Sequence, residues 1–120
     1  MRGREQDMER TPIDVADALA RVGDDREFLK ELLEIYDEDL TARVAGLREA
    51  LAGNDLKAVE QLGHAIKGSS ANLSLPFLRD RAAAIELAGK KGDAATALAN
   101  LARLEKEFQK LRDHLRENPL

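Results

Sequence analysis

Cysteine is absent from this chain of 120 residues. Disulfides, thiolate zinc sites and cysteine nucleophiles are thereby excluded. Tryptophan is also absent, and aromatic residues make up only 3%. The core must come from Leu, Ala, Val and Ile, a mixture that favours helices over strands. Proline is confined to Pro12, Pro76 and Pro119, each at the edge of an apolar pattern. No apolar run approaches the roughly 18 residues of a spanning helix. The residues after Met1, "RGREQDMER", hold no apolar stretch of the kind that opens a signal peptide. A cytoplasmic location is the expectation. Positive charge is in deficit as well. The net charge of −4 leaves no basic footprint for nucleic acid or for an anionic membrane, so neither is expected as a partner.

What remains is helical. Hydrophobic residues are 43% and charged residues 35%, enough for one domain with a core and a polar surface. Residues 1–10 read as a disordered lead-in, and residues 11–117 as one bundle. Thr11 is the expected N-cap of a short helix with Pro12 at its first position, ending near Arg21 and Gly23. Asp24 or Asp25 caps the next, whose apolar positions begin at Phe28 and Leu29 and run in steps of three and four to Leu51, ending at Gly53. Gly46 inside it marks a close-packing or weakly helical spot. Asn54 is the expected cap of a third helix, with Leu56, Val59, Leu62, Gly63, Ile66, Ser70 and Leu73 on its apolar side. Ser74 or Leu75 precedes Pro76 and a fourth helix with Phe77, Leu78, Ala82 and Ile85 inward. Asp93 caps the last, with a stripe of Ala94, Ala97, Leu98, Leu101, Leu104, Phe108, Leu111 and Leu115. Four amphipathic helices with short links predict an all-α, antiparallel up-and-down four-helix bundle with a short extra N-terminal helix.

The third helix carries the stretch "QLGHAIKGSSANL", Gln61 to Leu73. At about 100° per residue, His64 lies about 150° from the centre of the apolar side. Lys67 and Gly68 follow one turn on, and Gln61 precedes by one turn. The exposed patch should therefore hold Gln61, His64, Ala65, Lys67, Gly68, Ala71 and Asn72. Two readings of His64 stand here. One is an ordinary surface histidine. The other is a nucleophile, since neutral imidazole is nucleophilic near neutral pH. A phosphoryl group taken up there would bring close to two negative charges. Lys67 is placed to offset them, and Gly68 would clear room for a protein partner. No metal site is expected: the other histidine, His114, is far along the chain, and no H-E-x-x-H spacing occurs. Neither Ser69 nor Ser70 sits in a G-x-S-x-G turn. Ser70 reads as a small residue permitting close helix approach, and Ser69 as able to bond near the His64 ring.

"HAIKGSSANL" resembles the signature of histidine-containing phosphotransfer (HPt) domains: His, a residue, Leu or Ile, Lys, Gly, two small residues, then an aliphatic. His64, Ile66, Lys67, Gly68, Ser69, Ser70 and Leu73 match it, and the likeness extends over about Thr11 to Leu115. The resemblance implies a four-helix bundle whose histidine takes a phosphoryl group from the aspartyl phosphate of one response-regulator receiver domain and passes it to another. It implies His64 as phospho-acceptor, Lys67 as charge partner and Gly68 as clearance. Glu86 and Lys90 are candidates near the imidazole from the next helix. The alternative for that pair is a surface contact with each other, four residues apart. The family commonly has glycine where this chain has Ser74, which can cap the next helix instead. Partners implied are receiver domains and, with them, a hybrid sensor kinase. The chain is expected to be a monomeric phosphoryl carrier, not an enzyme with its own ATP site. It needs no cofactor of its own, Mg2+ belonging to the receiver. Two other classes remain open: a helical module that binds receivers without being phosphorylated, and the dimerisation and phospho-acceptor domain of a sensor kinase. The latter usually has an acidic residue after the histidine, where this chain has Ala65.

Overall fold

A computed structural model describes residues 11–120. The expected lead-in over residues 1–10 lies outside the described residues. Five helices follow one another: α1 Val15–Arg21, α2 Arg26–Ala52, α3 Leu56–Asn72, α4 Pro76–Lys91 and α5 Ala94–Glu117. No strand occurs among the described residues. The long helices α2 to α5 form the bundle. α3 packs along α4, α4 along α5, and α2 closes the ring against α3 and α5, with α1 resting on α2.

The helix starts are set by aspartate. Asp14, Asp25, Asp55 and Asp93 each accept a hydrogen bond from the amide three residues on, at 3.1, 3.0, 3.1 and 3.0 Å. Each satisfies an amide that the first turn leaves without a partner. Three expected caps are thereby corrected. Thr11 and Pro12 precede α1, because the Asp14 amide is tied to the Ser74 carbonyl at 3.0 Å and Ile13 is buried. Helical geometry therefore begins only after Asp14. Asn54 and Ser74 do not cap either, and Asp25 rather than Asp24 caps α2.

The reason is a turn repeated at every link. Gly23, Asn54, Ser74 and Gly92 all have positive φ, at 67°, 53°, 58° and 74°. The amide just after each reaches back to the carbonyl five residues earlier: Asp24 to Leu19, Asp55 to Ala50, Leu75 to Ser70 and Asp93 to Ala88, at 2.8–2.9 Å. This is the Schellman closure, which satisfies orphan carbonyls and stops a helix sharply. Asn54 and Ser74 are consumed in ending one helix, so the next residue begins the following one. α4 consequently starts without a side-chain cap, relying on Pro76 at its first turn. Ser74 adopts a conformation that glycine reaches without steric cost. Its hydroxyl donates to Asp17 Oδ2 at 2.5 Å, which fastens α1 to this turn.

The core is aliphatic, as the composition requires, with Leu29, Leu47, Val59, Ile66, Ile85 and Leu104 fully buried. Phe28 and Leu98, expected inward, are 46% and 59% exposed. Their neighbours Leu29 and Ala97 take the core positions instead. A β-carbon on Gly46 would stand 3.3 Å from Leu62 Cδ1, so this glycine does mark a close contact between α2 and α3. Tighter still is the crossing of α3 and α4. A β-carbon on Gly63 would lie 2.7 Å from the backbone nitrogen of Glu86, and one on Gly89 would lie 2.6 Å from that of Glu60. Neither backbone can yield to a side chain, so two glycines let the helices touch main chain to main chain.

Candidate functional site

α3 presents His64 near the middle of its length, with its side chain 70% exposed. The wheel position derived from sequence is thus realised. Gln61, Gly68 and Asn72 are exposed on the same helix, while Ala65, Lys67 and Ala71 are half-buried. The apolar side buries Val59, Gly63, Ile66 and Ser70. A β-carbon on Gly68 would meet nothing within 4 Å, so the surface one turn beyond the histidine is open.

The second helix of the site is α4. Glu86 Oε2 lies 2.7 Å from His64 Nδ1, and Glu86 Oε1 lies 2.5 Å from Lys67 Nζ. One carboxylate therefore spans both residues of the α3 motif. Its side chain is 21% exposed, beneath the imidazole. The Lys67 ammonium is the main cause that holds the Glu86 carboxyl below its ordinary value of 4.5. Partial burial opposes this, and the His64 bond adds to the lowering. Glu86 is thus an anion at neutral pH and can only accept hydrogen bonds. The ring nitrogen facing it must carry a hydrogen. Nδ1–H donates to Glu86, and in the neutral ring Nε2 is then the nitrogen that carries the lone pair.

The other expected site residues fall as follows. Lys90 is exposed and no ion pair joins it to Glu86, whose two oxygens are taken by α3. Ser69 does not reach the ring, because its hydroxyl donates to the Ile66 carbonyl at 3.2 Å within its own helix. Ser70 is more than a small spacer. Its Oγ is 2.7 Å from the Tyr36 hydroxyl in the core, linking α2 to α3. Burial pushes the Tyr36 phenol up to about 12, although the Ser70 bond pulls the other way. His114 sits near the end of α5, with Asn118 Nδ2 3.5 Å from its Nδ1. No group of three or more His, Asp or Glu side chains that could hold a metal occurs among the described residues.

Gly63 was legible only as part of the apolar rhythm. Its contact with Glu86 is what sets the carboxylate beside the adjacent residue, His64. The available signal was a glycine directly before the histidine and a second, Gly89, on the inward side of the next helix. An open groove of about 560 Å³ lies between the end of α1, α2 and the C-terminal end of α3, lined in part by Arg21, Val22, Leu32, Ile35, Ser69 and Asn72. Ile35 is 52% exposed there. No helix among the described residues is long and apolar enough to cross a membrane.

Comparison with known proteins bears on the family. The family described as Hpt domain matches residues 31–114. A curated relative, multistep phosphorelay regulator 1 of Schizosaccharomyces pombe (strain 972 / ATCC 24843), is 40% identical over 76 residues, covering 62% of this chain. The matched part is 26% of that protein, so the chain spans about a quarter of its length. A bundle of four long helices, an exposed histidine and the match over most of its residues together place the chain in the Hpt domain family.

Proposed function

We propose that the chain is a histidine phosphotransfer protein of a phosphorelay, taking a phosphoryl group on His64 from the aspartyl phosphate of one receiver domain and giving it to another. The observation that carries this reading is the pairing of His64 Nδ1 with Glu86 at 2.7 Å on a side chain 70% exposed. It supports a ring bonded to Glu86 through Nδ1, so that Nε2 is the nitrogen that faces the approaching partner. The phosphorelay name of the curated relative supports the same reaction class.

In the proposed step the Nε2 lone pair attacks phosphorus. The N–P bond forms as the P–O bond to the receiver's aspartate breaks, and that aspartate leaves as a carboxylate. The proton on Nδ1 stays on the ring, against Glu86. Lys67 lies one turn from His64 and offsets charge on the incoming phosphoryl group. Gly68 leaves that group's surroundings clear. Positioning and charge neutralisation are what phosphoryl transfer chiefly requires. Mg2+ chemistry belongs to the receiver, and ATP is not a substrate of this chain. Gln61 and Lys90 border the patch. The unit is residues 11–117, acting as a monomer. Its docking face is the histidine patch, with the groove at Ile35 meeting that patch at Asn72.

The test is direct. Receiver domains of the source organism, phosphorylated with acetyl phosphate, are incubated with the chain and with His64→Gln. The chain should acquire acid-labile, base-stable label and the variant none. Label that survives the substitution, or that maps to His114, overturns the assignment.

A further inference from the structure

A charged side chain drawn halfway out of water needs a partner, because burial penalises the charged form. Among the described residues the half-buried Asp, Glu, Lys and Arg side chains obey this with one exception. Lys67 holds Glu86, Arg112 holds Asp37, Arg48 holds Glu105 and Arg81 donates to Asn100. Glu60, Glu107 and Asp113 each meet a base three residues away. Arg43 is the exception: half-buried on α2, it makes neither an ion pair nor a hydrogen bond. Asp39 stands four residues before it, a spacing that favours an acid–base pair on a helix, yet the two do not bond. The α2–α3 contact fixes where this guanidinium sits. Gly46 lies against Leu62, and the Tyr36 hydroxyl bonds Ser70. Arg43 falls between those two α2 residues, so its stem is level with the stretch of α3 that holds His64. The Tyr36 phenol is raised by burial and lowered by its Ser70 bond, and the Arg43 charge lowers it too, so the side chain lies on the α3 side of α2.

We infer that Arg43 is a specificity-determining contact for the partner, receiving a carboxylate from the surface of a receiver domain docked over His64. The inference rests on the carrier reading above and deepens it by naming what selects the partner. Ile35, Asp39 and Arg43 follow one another by four residues and share one stripe of α2. Ile35 is 52% exposed on that stripe and lines the groove that reaches Ser69 and Asn72 of α3. Between Lys30 and Arg48, Arg43 is the only base on α2. Glu31, Glu34, Glu38 and Asp39 are exposed around it, and none of them is ion-paired among the described residues. A guanidinium meets a carboxylate through two parallel N–H···O bonds, which fix orientation as well as adding affinity. The surrounding acids repel an acidic surface that arrives out of register. A receiver with an acid at the matching place is therefore admitted, and one with a base there is refused.

The experiment follows transfer from a phosphorylated receiver as its concentration is varied, for the chain and for Arg43→Gln, which keeps most of the side chain's length and removes its charge. The half-saturating receiver concentration should rise about tenfold, the scale of one charge-assisted pair, while the rate at saturation is kept. Added salt should narrow the gap between the two proteins. Arg43→Glu should weaken docking further. Replacing the receiver's exposed Asp and Glu residues by Lys, one at a time, should then find a position that restores transfer to Arg43→Glu. Phosphoramidate, a small donor that needs no docking, reads His64 by itself. Equal half-saturation in the wild type and Arg43→Gln would overturn the inference, and so would a receiver with no restoring position. Loss of phosphoramidate labelling or of helicity in Arg43→Gln would overturn it too, since Arg43 would then serve His64 or the fold rather than the partner. A wild-type chain that takes phosphoryl from no receiver of the source organism would instead overturn the carrier reading, and this inference with it.

Discussion

A histidine on a helix has two ring nitrogens, and what holds one decides what the other can do. In this chain the holder is Glu86, 22 residues away in sequence and 2.7 Å away in space. Gly68 acts by absence. Nothing lies within 4 Å of where its side chain would stand, so replacing it costs the fold little beyond helix propensity, which improves for most residues. Gly68→Gln should therefore keep or raise helicity by circular dichroism while slowing transfer from a receiver at least tenfold, the scale of misplacing a reacting pair. An unchanged rate would remove its clearance role. Tyr36 permits a second residue-level prediction, because it is the only tyrosine in the chain. Its phenol is held near 12, above the ordinary 10.0. Burial favours the neutral form, so the stability it contributes is complete below pH 10.0 and is lost as pH rises through about 12. Absorbance of tyrosinate near 295 nm should rise with a midpoint near 12 in folded protein and near 10 in denaturant. Equal midpoints would mean that the phenol is not buried against Ser70.

Elements here are joined by one repeated solution, a left-handed residue that ends a helix and an aspartate or proline that begins the next. Two of those left-handed residues are glycine and were readable as stops from sequence. The other two, Asn54 and Ser74, have side chains that also suit caps, and sequence pattern alone cannot say which use prevails. The long-range hydrogen bond from the next amide decides it, and that depends on both helices. The same limit explains Phe28 and Leu98. Each lies beside the apolar stripe of its helix, and the neighbouring helix, not the stripe, chooses which residue is covered. The exposure of His64 and Gly68 was legible because helix periodicity is local, whereas Lys67, expected exposed, is half-buried because Glu86 of the next helix holds it. Glu86 was reached beside the imidazole by resemblance, and its bond to Lys67 was not, because the α3–α4 contact at Gly63 is tertiary. That contact can be tested by itself. Gly63→Ala would place a β-carbon 2.7 Å from the Glu86 backbone, so it should destabilise the bundle by about 1–3 kcal/mol, as overpacking does. The thermal midpoint should fall, and His64 should lose its Glu86 bond. A variant as stable as the wild type would show that the helices have room to separate.

At the scale of the molecule, the bundle is a mount for the exposed His64 ring. Arg112 makes a two-point bond to Asp37 at 2.7 and 2.9 Å and stacks 3.9 Å over Phe108, and Arg48 pairs with Glu105, so α5 is fastened to α2 behind the site. Closure of the ring within a single chain supports the proposed action as a monomer. The charge balance of −4 supports a protein partner over nucleic acid. Such a scaffold suits a carrier, which must offer the same nucleophile to a donor and then to an acceptor. The most direct measurement is therefore a reconstituted relay. One receiver is phosphorylated with acetyl phosphate and freed of the reagent, then mixed with a second, unphosphorylated receiver, with and without the chain. Phosphoryl should reach the second receiver only when the chain is present, with transient label on His64, and should not reach it with His64→Gln. Transfer that proceeds equally with His64→Gln, or none with the wild type across the receivers of the source organism, would contradict the account.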